Sequence, residues 1–159
     1  MSDHKDEFWD RMGDVMAGML GTPDLKLVPM SPQLRDDHRD GRIWFITAQG
    51  TDLVTACQSG PQQGRFVVGD HKAALWADID GTLELHTDPA IVDEVWNAMA
   101  GAWFEEGKDD PDLRLLAFTP KSAEVTLSED SGVKFFYEIA KGKLTGEKPD
   151  AGWQGKIAF

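Results

Sequence analysis

The stretch WFEEGKDDPDLRLL, residues 103–116, decides the fold that this sequence predicts. It begins where an apolar helical stripe ends on two aromatic residues. A short acidic loop follows, and then an apolar run that is typical of a β-strand. The stretch contains no recognisable catalytic pattern. Its value lies in the unusual order of its residue types, which gains weight when the elements on either side agree with it.

The N-terminal segment allows two interpretations. Apolar residues recur at helical spacing after Ser2 or Asp3, either of which could cap a helix. The pattern fits one helix as far as Leu20. It also fits a helix that ends near Gly13 and a strand over residues 15–22, because interior glycines disfavour a helix by about 1 kcal/mol each.

The next elements are a pair of strands and a short helix. A second strand is predicted over residues 25–33. The clearest strand is IWFITA, residues 43–48, because it is dense in β-branched and aromatic residues. Thr51 or Asp52 is expected to cap a short helix that Gly60-Pro61 stops. The apolar residues of that helix are Leu53, Val54, Ala56 and Cys57.

Two further strands and a hairpin turn are predicted in the middle of the chain. The strands cover residues 66–69 and 73–77, and Asp80-Gly81 reads as a hairpin turn into a strand over residues 82–87. The pair Asp-Gly is a strong turn signal because both residues tolerate a positive φ. The sequence Asp78-Ile79-Asp80-Gly81 also resembles the start of a calcium loop. It lacks the later oxygen ligands, so the turn is favoured.

A helix is predicted to begin at Asp88, with Pro89 at its first position. Its apolar stripe comprises Ile91, Val92, Val95, Trp96, Met99 and Trp103. The remaining predicted elements are two strands, a helix and a final extended segment, over residues 113–118, 123–127, 133–143 and 153–159. Many short strands with a few helices between them favour a single α+β domain, residues 1–159, built on a β-barrel.

Composition excludes several classes of protein. The chain of 159 residues has a formal charge of −12, which opposes binding to nucleic acid. Its apolar runs are too short to span a membrane, and its acidic first ten residues do not resemble a signal peptide. Cys57 is the single cysteine, so an internal disulfide is excluded and a reducing, cytoplasmic location is expected.

Other candidate sites are weak. The acidic loop over residues 105–112 suits a solvated connection better than a metal site, and Gly107-Lys108 lacks the Ser or Thr that a P-loop requires. Cys57 lies on the apolar face of its short helix, which favours a buried structural thiol. The four histidines, which lack zinc-site spacing, are expected mostly in turns or at the surface; they are His4, His38, His71 and His86.

The succession of motifs resembles a known family. The motifs are FWDRM, Pro29-Met30, WFIT over residues 44–47, AWFEEGKDDPDLRLLAFTP, AEVTL and KFFYEIAKGKLTGEKP. Together they resemble the general stress protein branch of the pyridoxamine 5'-phosphate oxidase-like, FMN-binding split barrels. The resemblance covers nearly the whole chain. It implies an α+β split barrel of roughly six to eight mostly antiparallel strands with flanking helices, and it favours a first strand over residues 15–22.

The resemblance also implies a cofactor and its site. Members are typically homodimers that hold FMN in a cleft between the subunits. By motif match, Met30 would lie under or beside the isoalloxazine ring, and Phe45, Ile46 and Thr47 would line it with backbone groups and one hydroxyl. A flat aromatic ring needs apolar walls and a few fixed polar partners, which these residues supply. No residue is identified as a proton donor, and no substrate is implied.

The chain departs from the family at the phosphate of FMN. The family commonly has an Arg where this chain has Val28, and a Lys where it has Asp52-Leu53. Lys26, the Thr51 hydroxyl and the first N–H groups of the short helix are the candidate substitutes. The leading hypothesis is an FMN-binding split-barrel dimer of the general stress type, acting as a flavin-dependent oxidoreductase or as a redox-responsive stress protein. The alternative is a degenerate split-barrel binding or interaction module that has lost FMN.

Overall fold

A computed structural model describes residues 2–36, 40–128, 140 and 152–159. Strands dominate the described chain, and short helices lie between groups of them. In chain order they are α1 (Ser2–Met12), β1 (Gly18–Gly21), β2 (Val28–Met30), β3 (Ile43–Ala48), α2 (Asp52–Cys57), β4 (Gln62–Asp70), β5 (Leu75–His86), α3 (Pro89–Val95), α4 (Ala98–Gly101), a 3₁₀ turn (Gly107–Asp109), β6 (Leu113–Ser128) and β7 (Gly152–Ala158). The longest described helix, α1, has 11 residues, so none of the described helices can cross a lipid bilayer.

The strands form one seven-stranded sheet in the order β2-β1-β4-β5-β6-β3, with β7 paired to β6. All described pairs are antiparallel. The two ends of this path meet where Gln33, just beyond β2, bridges Trp44 of β3. The sheet therefore closes on itself, and the prediction of a mostly antiparallel α+β barrel with flanking helices is confirmed.

Several predicted elements are confirmed at or near their boundaries. Strand β3 covers the predicted residues 43–48, and Thr51 caps α2 through its side chain. In the N-terminal segment, α1 ends at Met12 and β1 follows, which supports the helix–strand interpretation over one long helix. The final extended segment is present as β7.

The predicted hairpin turn at Asp80-Gly81 is wrong. These two residues lie inside β5, at a shift in its register with β6. The chain reverses earlier, after Asp70, whose carboxylate accepts hydrogen bonds from the N–H groups of Lys72 and Ala73, both at 2.9 Å. The Asp-Gly signal failed because the apolar alternation continues through it, and the buried strand overrides the local turn preference.

The predicted helix over the stripe from Ile91 to Trp103 is broken in two. Helix α3 ends at Val95 because Trp96 adopts an extended backbone with ψ of 138°. The side chain of Asn97 then accepts a hydrogen bond from the N–H of Ala100 at 2.8 Å and starts α4. A cap-forming Asn competes with helix continuation, which explains the break. The side chain of Trp103 is 80% exposed, so the stripe does not reach it.

Strand β6 merges the two strands that were predicted over residues 113–118 and 123–127. Pro120 lies within it, opposite Gly81 and at the register shift, a place where a strand tolerates the missing N–H group of proline. Gly81 is required there, because a Cβ atom would lie 2.9 Å from Cζ of Phe118. The predicted helix over residues 133–143 lies outside the described residues, except for Ala140.

Two apolar clusters flank the sheet around β3 and β6. Successive side chains of a strand point to opposite faces, so Phe45 and Leu116 pack inside the barrel while Trp44 and Leu115 pack on the other face, against α3. All four side chains are at most 1% exposed. The barrel cluster also contains Cys57, so the predicted buried thiol is confirmed.

Candidate functional site

The candidate site lies where the barrel closes. The N–H of Gln33 donates to the carbonyl oxygen of Trp44 at 2.8 Å, and the N–H of Trp44 donates to the carbonyl oxygen of Gln33 at 2.8 Å. Met30 ends β2, three residues before this bridge, and Thr47 lies on β3, three residues after it. Two of the predicted site residues therefore belong to the two strands that flank the closure.

The side chains of β3 divide between the two faces of the sheet. Phe45 is fully buried in the barrel cluster and packs edge-to-face on Phe66, with 5.0 Å between ring centroids. Ile46 packs against the opposite cluster, and Thr47 is half-buried. The Phe45 side chain is thus committed to the core. A ligand contact at this position would therefore use its backbone groups, and that role stays a prediction.

The turn from β3 into α2 uses Thr51 as its helix cap. The Thr51 hydroxyl donates to the carbonyl oxygen of Ala48 at 3.1 Å and accepts from the N–H of Val54 at 3.4 Å. Capping satisfies an amide that would otherwise lack a partner in the first turn of the helix. The hydroxyl therefore has both a donor and an acceptor role within the chain, and a phosphate would compete with these contacts.

The two positions that depart from the family pattern differ in environment. Val28 is 39% exposed, and Lys26, two residues earlier, is also exposed. Leu53 is 4% exposed and belongs to the barrel cluster, whereas the adjacent Asp52 is exposed. A cation on α2 could therefore reach solvent from position 52 without disturbing the core, but a lysine at position 53 would start inside it.

Sequence reasoning missed Arg114, which lies beside this turn. It is the residue of β6 that pairs with Thr47 of β3, and its guanidinium donates to Oε1 of Gln49 at 2.6 Å. The same group donates to the carbonyl oxygens of Pro111 and Leu113, both at 2.8 Å. The signal was available, since Arg114 is the single charged residue in the apolar run LRLLAF, residues 113–118.

A groove opens next to the same end of β3. It encloses ≈ 430 Å³ and is lined by Ala48, Trp103, Phe104, Glu105, Glu106, Asp110, Pro111 and Asp112. Its acidic side chains repel anions. Among the described residues, no three His, Cys, Asp or Glu side chains are grouped as a metal site would require. The Asp110 carboxylate instead accepts hydrogen bonds from the backbone of Glu106 and Asp112, at 3.3 and 2.9 Å, and so organises the loop.

The remaining candidate side chains have structural contacts. Burial, and secondarily the charge of Glu84, raises the pKa of the Cys57 thiol, so this group stays protonated and weakly reactive. His4 stacks on Trp153 with 4.1 Å between ring centroids, and His86 packs edge-on against Trp44 at 5.2 Å. Two of the four histidines therefore pack on tryptophans rather than lying free in turns. His71 is exposed, as predicted, and His38 lies outside the described residues.

Comparison with known families and structures places this geometry in context. Residues 3–150 match the sequence model of the family described as pyridoxamine 5'-phosphate oxidase like. The comparison with curated proteins returns no match. The family match covers every described strand except β7.

Solved structures give the same fold over most of the chain. A general stress protein 26 from Jannaschia sp. CCS1 is 51% identical, with all of both chains covered and a TM-score of 0.86. A general stress FMN/FAD binding protein from Xanthomonas citri is 32% identical, covering 84% of this chain and 94% of that one, with a TM-score of 0.72. A general stress family protein from Xanthomonas campestris is also 32% identical, covering 83% and 92%, with a TM-score of 0.71.

Proposed function

The chain belongs to the pyridoxamine 5'-phosphate oxidase-like family, and from this premise we propose that it is a flavin-binding split-barrel protein of the general stress type with FMN as its cofactor. The observation that carries the proposal is the closure of the barrel, where Gln33, just beyond β2, bridges Trp44 of β3. The proposed site uses Met30 and Thr47 from these two strands. The Xanthomonas citri relative, which is described as binding FMN or FAD, supports the choice of ligand.

The residues at this closure suit the chemistry of a flavin ring. Met30 is half-buried and offers an adaptable apolar surface. Thr47 offers a hydroxyl, and Phe45 and Ile46 offer backbone groups for the polar edge of the ring. Lys26, which is exposed, and Thr51 are proposed on the phosphate side. A bound flavin supplies redox chemistry, while the chain positions it and tunes its electronics. We therefore propose an FMN-dependent oxidoreductase without naming its substrate.

The proposal includes a cytoplasmic homodimer with a flavin cleft between the subunits. Large apolar side chains are exposed on and beside β1 and β2, namely Met16 at 69%, Met19 at 38% and Val28 at 39%. Exposed apolar surface of this kind is favourable to cover with a two-fold partner. Light scattering at micromolar protein should give twice the chain mass of 17.6 kDa. A monomer would contradict the shared cleft.

A second candidate function follows from the departures at positions 28 and 53. Because Leu53 packs in the barrel core and Val28 carries no charge, the family's two phosphate cations are missing. A degenerate binding or interaction module that has lost FMN would also lack these two cations. Its cleft would prefer an uncharged or apolar ligand.

The first experiment is a titration of the purified protein with FMN, followed by flavin fluorescence and near-ultraviolet circular dichroism. We expect saturable binding in the micromolar range or below, and a yellow protein after gentle isolation. Absence of saturation up to high micromolar FMN would remove the proposed function and favour the module without flavin.

A double variant separates the two candidates further. We choose Val28→Arg with Asp52→Lys, since both positions are exposed, rather than a change at the buried Leu53. A large gain in FMN affinity from a weak starting value would mean that the phosphate site was abandoned. An unchanged, tight affinity would mean that other groups of the chain already hold the phosphate.

A further inference from the structure

We propose that Arg114 is the cation that holds the phosphate group of the bound flavin, in place of the cations missing at positions 28 and 53. The inference rests on the proposed flavin site and names one residue that neither the family pattern nor the sequence motifs assign. Arg114 pairs with Thr47 across β3 and β6, so it lies at the strand end that the site already uses.

The guanidinium of Arg114 is held in place but not saturated. It makes three hydrogen bonds, to Oε1 of Gln49 and to the carbonyl oxygens of Pro111 and Leu113, at 2.6, 2.8 and 2.8 Å. Arginine has about five N–H donors in a planar fork, so roughly two remain for a ligand. A fork oriented by neutral acceptors is suited to phosphate, which it can contact through two parallel N–H groups.

Arg114 also keeps its charge available. Arg11, Arg35 and Arg65 form ion pairs with carboxylates. Arg114 forms no ion pair with any residue in the described ranges, so no carboxylate there neutralises its charge. Nearby Asp112 accepts a hydrogen bond from Nε2 of Gln49 at 3.0 Å, so the Gln49 amide lies between this carboxylate and the guanidinium.

The position of Arg114 explains how an acidic chain could bind a phosphate without cations at positions 28 and 53. Lys26 is exposed in the loop before β2, and the Thr51 hydroxyl is already engaged in capping. Arg114, by contrast, is oriented by the turn that joins β3 to α2 and by the loop before β6. A phosphate bound beside this turn would gain hydrogen bonds from an unpaired, preoriented cation.

The test compares two flavins that differ in the phosphate. FMN and riboflavin are titrated into the full chain and into Arg114→Gln, with Lys72→Gln as the control. Lys72 is exposed in the turn after β4, at the other end of the sheet, and its substitution changes the net charge by the same amount. We expect Arg114→Gln to weaken FMN binding by on the order of 10- to 100-fold and to leave riboflavin binding unchanged. Lys72→Gln should alter neither.

Two more variants control for misfolding and for charge. Arg114→Lys keeps the charge without the fork and should give an intermediate loss for FMN, whereas Asp112→Asn should strengthen FMN binding. Equal losses for FMN and riboflavin in a folded Arg114→Gln, or an unchanged FMN affinity, would overturn the assignment. If the unsubstituted chain binds riboflavin and FMN equally, the phosphate anchor is absent but the flavin site stands. If it binds neither, the proposed function fails and this inference fails with it.

Discussion

The guanidinium of Arg11 donates a hydrogen bond of 2.6 Å to the carbonyl oxygen of Ser128, 117 residues further along the chain. A second bond of 2.6 Å goes to the carbonyl oxygen of Ala74, in the turn between β4 and β5. Arg11 stands in the last turn of α1 and also forms an ion pair with Glu7. One side chain therefore fixes the N-terminal helix to the turn and to the end of β6.

Substituting Arg11→Ala should destabilise the protein substantially. Hydrogen bonds to charged groups are worth about 1.5–3 kcal/mol each, and both acceptors belong to the backbone near the core. We expect the free energy of unfolding to fall by about 2–4 kcal/mol, measured by urea denaturation. Arg65→Ala is the control, because Arg65 pairs with Asp78 at the surface and should change stability far less. Equal effects of the two substitutions would contradict the anchoring role of Arg11.

Gly81→Ala should be poorly tolerated and Gly69→Ala well tolerated. A Cβ atom at position 81 would lie 2.9 Å from Cζ of Phe118 and 3.0 Å from Cα of Pro120, so backbone must move. At position 69 the nearest atom, Cδ1 of Trp76, is 3.5 Å away, which is ordinary contact. We expect a loss of about 1–3 kcal/mol for Gly81→Ala. Thermal melts of both variants provide the measurement, and similar melting temperatures would contradict the crowding at the bulge.

Leu53→Lys should destabilise the barrel, and Asp52→Lys should not. Leu53 is 4% exposed, so a lysine there would place an unpaired ammonium group in an apolar cluster. The expected loss is about 3–5 kcal/mol, the usual cost of an uncompensated buried charge. Asp52 is exposed in the first turn of α2 and should lose only about 0.3–1 kcal/mol of favourable interaction with the helix N-terminus. Chemical denaturation of both variants compares them, and comparable stabilities would show that position 53 reaches solvent.

Stability should fall at alkaline pH in a way that Cys57 controls. Burial raises the pKa of Cys57 in the folded protein, so the folded state binds more protons than the unfolded state above about pH 8.5. The free energy of unfolding therefore decreases as pH rises past the unfolded thiol pKa, by up to about 1.4 kcal/mol per pH unit. Denaturation of the native chain and of Cys57→Ala between about pH 7 and 10 isolates the effect. The free energy of unfolding of Cys57→Ala should depend less on pH than that of the native chain. Parallel curves for the two proteins would exclude a contribution from Cys57.

The parts of the fold that sequence predicted well are those where local pattern and burial agree. Residues 43–48 form β3 because every side chain is β-branched, aromatic or small and the strand lies between two clusters. The helix cap was predicted at Thr51 or Asp52, and Thr51 forms it. Predictions failed where a local signal competed with the sheet, at Asp80-Gly81, and where Asn97 interrupted an apolar stripe.

The candidate site was partly predictable for the same reason. Met30 and Thr47 lie on strands that the sequence pattern identifies, but the closure of the barrel beside them depends on a bridge between Gln33 and Trp44 that no local signal marks. Arg114 is the single charged residue of the apolar run LRLLAF, but only the pairing of β3 with β6 gives it Thr47 as a neighbour. A single sequence does not reveal the register between distant strands, and a shift of one residue in that register moves every side chain to the opposite face of the sheet.

The bridge between Gln33 and Trp44 is the weakest strand junction of the described barrel. Two hydrogen bonds join the strands there, whereas β5 and β6 pair over many residues. Amide protons at this junction should exchange with deuterium faster than those along β5 and β6. A ligand bound there would hold the two strands together, so it should both slow that exchange and raise the melting temperature.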